Sequence, residues 1–111
     1  MTVKETEITI TYMTTLESIN LISIDPTIRA GRPCIAGTGL RVTDIVMAHL
    51  FHHRTPDDIV VDYEIALAQV YAALAYYYEH KAMLDADIRQ QLQIARTLKE
   101  KRIGNSASLL S

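Results

Sequence analysis

The sequence predicts a mainly α-helical fold entered through a small N-terminal β-hairpin, and three observations carry that prediction. From Thr43 onward, apolar residues recur at helical spacing in successive runs. Thr55-Pro56-Asp57-Asp58 supplies a cap, a proline at the first helical position and two acids in the first turn, which is the clearest helix start in the chain. Between Pro26 and Gly39, Gly31, Pro33 and Gly37 cut the chain into pieces short enough for extended segments and turns alone.

In chain order, residues 1–17 read as an arm whose alternating Ile8, Ile10 and Tyr12 have the period of an edge strand. Ile19 to Asp25 reads as a short strand, and within the punctuated stretch "CI" and "LRV" are the pieces expected to pair. Gly37-Thr38-Gly39 is expected to be a tight turn with glycine at positive φ. Thr43 is the expected cap of a first helix with Ile45, Val46 and Leu50 on its apolar stripe and Asp44 near the positive end of its dipole. A short second helix follows Pro56 through Asp62, and a third runs from Leu67 to about His80. A last helix is expected near Asp85, with Ile88, Leu92, Ala95 and Leu98 on one face and a polar end that frays. Residues 18–84 thus form a hairpin and a helix-turn-helix core, and residues 85–111 a basic amphipathic helix with its tail.

At 111 residues and 49% hydrophobic, the chain has the size and composition of one domain with a modest core. The lone Cys34 cannot close an internal disulfide, and no stretch approaches the roughly 18 consecutive apolar residues of a membrane span, so a cytoplasmic protein without membrane attachment is expected. The net charge of −2 conceals segregation: residues 26–55 carry +3, residues 56–87 carry −6 and residues 88–111 carry +4. Basic and acidic segments alternate, which points to a protein-binding surface separate from any basic patch.

The candidate chemical groups have simpler uses. Gly37-Thr38-Gly39 lacks the third glycine of a dinucleotide loop and the Gly-Lys-Ser/Thr of a phosphate loop. Cys34, between Pro33 and Ile35, reads as a small buried side chain rather than a nucleophile. His49, His52 and His53 read as a solvent-facing helix end, and Asp57, Asp58 and Asp62 as helix-start acids rather than metal ligands. Tyr77 and Tyr78 are expected in the core and Tyr76 at the surface. The chain is therefore expected to be no enzyme, with no catalytic, cofactor or metal residue assigned. Unpaired strand edges and small size lead to the expectation of a homodimer.

"IDPTIRAGRPCIAGTGLRVTDIV" and "TPDDIVVDYEIALAQVYAALAYY", in that order, resemble the domain-of-unknown-function 433 (DUF433) family, small prokaryotic proteins similar to VapB-type antitoxins. The resemblance covers about residues 19–88. It implies a homeodomain-like helix-turn-helix after the hairpin, dimerisation, and pairing with a PIN-like toxin nuclease. Gly39 departs from the arginine many relatives carry there. If operator DNA is bound, Arg29, Arg32, Arg41 and Arg54 are the expected phosphate anchors, and Gln69 is the one side chain of the third helix suited to reading an adenine edge. For the nuclease, the expected plug is the C-terminal helix, with Ile88, Leu92 and Leu98 filling a groove and Arg96, Lys99 and Arg102 meeting the carboxylates of a metal site. The resemblance thus implies a non-enzymatic antitoxin that also represses its own operon. The alternative is a protein-interaction module of the same fold without DNA binding.

Overall fold

The structure, a computed structural model, describes residues 13–110, with side chains described as far as Arg102. The expected strand through Ile8, Ile10 and Tyr12 lies outside the described residues, and residues 13–20 form no regular element. Two short strands, β1 (Ile22–Ser23) and β2 (Cys34–Ile35), pair antiparallel with Ile22 opposite Ile35 and Ser23 opposite Cys34. Four helices follow: α1 (Val42–Leu50), α2 (Pro56–Tyr63), α3 (Leu67–Glu79) and α4 (Lys81–Leu110). The mainly helical fold with its small hairpin is as the sequence predicts. None of the described helices is long and apolar enough to cross a membrane by itself.

The glycine-rich stretch is a scaffold, although its pairing differs from expectation. Cys34-Ile35 pairs chiefly with β1, and its link to "LRV" is a single antiparallel bridge between Cys34 and Arg41. The tight turn between them is closed by Ile35 N–H donating to Leu40 O at 2.8 Å and Thr38 N–H to Ile35 O at 3.0 Å. Gly37 sits at φ +78°, as a turn of this kind requires, whereas Gly39 does not adopt a positive φ. Cys34 is buried as expected, its thiol donating to Arg32 O at 3.3 Å, and burial pushes that thiol up from its ordinary pKa.

Helix starts follow local chemistry. Thr43 is buried inside the first turn of α1 and does not cap it. The cap residue is Arg41, whose N–H donates to Asp44 Oδ2 at 2.9 Å, so the acid that the dipole favours also satisfies an orphan amide. At α2 the expected start is realised: Thr55 Oγ1 accepts from Asp58 N–H, and Asp58 Oδ2 accepts from Thr55 N–H. Those hydrogen bonds hold the Asp58 carboxyl below the usual carboxylate range. α2 ends at Glu64 in the left-handed region, and after the turn of residues 64–66 α3 leaves at 115° to α2, within the range of a helix-turn-helix pair.

The core is one cluster. Ile35 from the hairpin, Val42, Ile45 and Val46 from α1, Ile59 from α2 and Val70, Ala73, Leu74 and Tyr77 from α3 are buried together with Leu84 and Ile88 from α4.

α4 starts at Lys81, ahead of the position expected near Asp85. His80 interrupts α3 with φ −122°, and its carbonyl accepts the first bond of α4 from Leu84 N–H. Asp85 is not a cap; it serves the elbow between the two helices. Tyr77 Oη donates to Asp85 Oδ1 at 2.6 Å, and Lys81 Nζ donates to Asp85 Oδ2 at 2.7 Å from above the Tyr77 ring. The Lys81 ammonium, then the Tyr77 hydroxyl, holds the Asp85 carboxyl below its ordinary value. The backbone of α4 remains helical through Leu110, across the stretch read as a fraying tail.

Two outcomes follow from these local constraints. Gly37→Ala places a Cβ in a left-handed residue and lowers stability by about 1–2 kcal/mol in thermal melts, whereas Gly39→Ala leaves the melting temperature unchanged. Asp58 and Asp85 have depressed folded-state pKa values, so the stability they contribute is whole above the ordinary aspartate range and is lost as pH falls through the folded values. The melting temperature is expected to be flat from about pH 7 to 5 and to fall below about pH 4. Asp85→Asn lowers the neutral-pH plateau, and its difference from the parent closes in acid.

Candidate functional site

The arginines that the sequence offers for phosphate contacts are engaged within the chain. Arg29, itself in the left-handed region at φ +51°, donates from Nε to Gly39 O at 2.8 Å and straps the turn. Arg32 donates from Nε to both carboxylate oxygens of Asp87 on α4, at 3.1 and 3.2 Å. Arg41 grips Asp44 through Nε at 3.2 Å and Nη2 at 2.8 Å, and Arg54 grips Asp62 through Nε and Nη2, both at 2.8 Å. The carboxylate bonds push the Arg41 and Arg54 guanidinium pKa values up, and each pair cancels the charge that a phosphate would meet. Gln69 is also occupied: its Oε1 accepts from Ala66 N–H at 2.7 Å and caps α3.

The outer face of α3 has a different chemistry from that expected. Tyr77 is buried as expected, but Tyr78 is exposed, and Tyr76 is half-buried with its ring stacked on His80 at 4.1 Å between centroids. Leu67, Tyr71, Ala75 and Tyr78, spaced i, i+4, i+8 and i+11, form the exposed stripe. The residues at its two ends are acidic, Glu64 and Glu79, and neither has a cation within 4 Å among the described residues. This aromatic stripe was missed because α3 is apolar nearly all round, so spacing alone does not fix which side faces the core.

On α4 the expected partner-binding residues divide into two groups. Ile88 is only 3% exposed and packs in the domain's own core with Leu84, so it is not available to a partner. Leu92 and Leu98 are exposed, and Arg96, Lys99 and Arg102 project into solvent with no carboxylate within 4 Å among the described residues. The last tie between α4 and α1 is Gln91 Nε2 donating to Thr43 Oγ1 at 3.3 Å. Beyond it, Leu92, Ile94, Ala95 and Leu98 line one wall of an open groove of about 450 Å³, with Met47, Arg32 and Arg41 opposite. Ile94 lies four residues before Leu98 and could have been found from that spacing; nothing in the sequence points to Met47.

The candidate metal and nucleophile groups serve the scaffold. His49 Nδ1 lies 2.8 Å from Arg54 O, Asp58 caps α2 and Asp62 binds Arg54. Among the described residues, no three His, Cys, Asp or Glu side chains converge where an ion could be held.

One family model, described as "Protein of unknown function (DUF433)", matches residues 22–77, half of the chain from β1 to Tyr77 of α3. No curated protein and no solved structure matches the sequence.

Proposed function

We propose that this chain, which belongs to the DUF433 family, is a non-enzymatic, cytoplasmic protein-binding module of the antitoxin kind, and that the outer half of α4 is its binding element. The observation that carries this reading is the divided use of α4. Leu84 and Ile88 anchor it, while the next turns hold out Leu92, Ile94 and Leu98 beside Arg96, Lys99 and Arg102, which have no carboxylate within 4 Å among the described residues. An amphipathic helix anchored at one end has already met much of the ordering cost of binding, and it suits a groove lined by apolar and acidic groups. A PIN-like nuclease, the partner class implied by the resemblance, presents such a surface in the carboxylates around its metal site. A guanidinium there would compete with the metal's charge.

Operator binding by a homeodomain-like α3 is the less supported half of the antitoxin reading. The outer face of α3 offers tyrosines and flanking glutamates to a polyanion, and Arg32, Arg41 and Arg54 are paired with Asp87, Asp44 and Asp62, which leaves Arg29, bonded to a carbonyl, as the one expected anchor without a carboxylate partner among the described residues. Protein binding without DNA recognition is the version the side chains favour.

The test is whether the purified protein inhibits the PIN-like nuclease that this reading expects to be encoded beside its gene. Leu92→Asp combined with Leu98→Asp changes two exposed positions, so the melting temperature should stay within a few degrees of the parent. Inhibition should weaken by about 100-fold or more, which corresponds to roughly 2.7 kcal/mol. A folded double variant that inhibits with undiminished affinity would place the binding element elsewhere.

A further inference from the structure

We infer that, in the free protein, the outer half of α4 docks on the α3 stripe of a second copy of this chain, the two copies exchanging these helices reciprocally. Each side is an exposed apolar surface. Leu67, Tyr71 and Tyr78 on α3 are 43%, 55% and 59% exposed, and Leu92, Ile94 and Leu98 on α4 are 41%, 51% and 61% exposed. Neither covers the other within one copy, since both stand open while α4 is fixed at Leu84, Ile88 and Gln91. Their lengths correspond: at about 1.5 Å per residue, Leu67 to Tyr78 and Leu92 to Arg102 each span roughly 15–17 Å.

Charge decides among the ways two copies could meet. Pairing α4 with α4 brings together two segments of +4, and pairing α3 with α3 brings Glu64 and Glu79 of one copy toward those of the other. Laying α4 on the partner's α3 sets Arg96, Lys99 and Arg102 against glutamates that have no cation of their own among the described residues. The hairpin is a poorer interface, because its strands are two residues long and leave little edge to pair. Reciprocal exchange forms a closed two-fold dimer that uses both surfaces twice, whereas one-way docking would run on into a chain of copies. The inference takes from the proposed function only the assignment of outer α4 as a docking element. Its consequence is regulatory: the second copy holds the segment that a partner protein needs, so partner binding and self-association compete.

The test uses the purified protein without any other partner. The parent is expected to be dimeric in sedimentation at roughly tens of micromolar and to dissociate as salt is raised. A tail-defective protein carries Leu92→Asp and Leu98→Asp, and a face-defective protein carries Tyr71→Arg and Tyr78→Arg; all four positions are exposed. Each is expected to be monomeric alone. Mixed one to one, the tail-defective and face-defective proteins should associate, because the intact tail of one meets the intact face of the other. A monomeric parent, a dimer that survives in either variant alone, or a mixture that stays monomeric overturns the inference. The mixed result separates exchange from pairing of like surfaces, in which no recovery occurs.

Discussion

Arg32 lies in the hairpin segment and Asp87 on the last helix, 55 residues on, and the guanidinium Nε–H is shared between both oxygens of that carboxylate. Their side chains are 33% and 18% exposed, so the pair is partly withdrawn from water, and removing one partner would leave the other half-buried and uncompensated. Beside it, Gln91 Nε2 donates both to Asp87 Oδ2 at 2.9 Å and to Thr43 Oγ1. These polar ties, with Leu84 and Ile88 below them, fix where α4 crosses the hairpin and α1. The direction in which the rest of the helix leaves the domain depends on that crossing.

A second constraint acts at the elbow. The carboxylate of Asp85 accepts from Tyr77 of α3 and Lys81 of α4, so the two helices are joined by hydrogen bonds as well as by His80. A long helix on a free hinge would sample many directions, and binding would have to order it. Held at the elbow and at Asp87, outer α4 would meet a partner already oriented, so that under the proposed function Leu92 and Leu98 would act as binding groups rather than as part of a flexible tail.

The sequence was most legible where structure is decided locally. Thr55-Pro56-Asp57-Asp58 starts α2 because cap, fixed proline φ and dipole act within one turn, and Gly37 takes a positive φ because the tight turn allows little else. It was least legible where the choice belongs to distant neighbours. Ala73 against Ala75 and Tyr77 against Tyr78 cannot be sorted within α3, since alanines and tyrosines ring the helix and α1 decides which side is buried. The arginines read as available cations because nothing local discloses Asp87 as the partner of Arg32, or Asp62, across a helix start, as the partner of Arg54. Ile88 looked like the first residue of a partner-binding stripe for a related reason: the stripe is continuous, and only the packed domain shows where the core's share of it ends.

In the reading proposed here, one segment, outer α4, lies on another protein and in the free state lies on α3 of a second copy. Hydrogen–deuterium exchange across a dilution series tests this most directly, because the amides of residues 92–102 sit on a helix with little cover of its own. Protection of residues 92–102 and of the exposed turns of residues 67–78 is expected to fall together as the protein is diluted, while residues 84–88 keep theirs. Protection of residues 92–102 that is independent of concentration, or a concentration-dependent change confined to the hairpin, would contradict it.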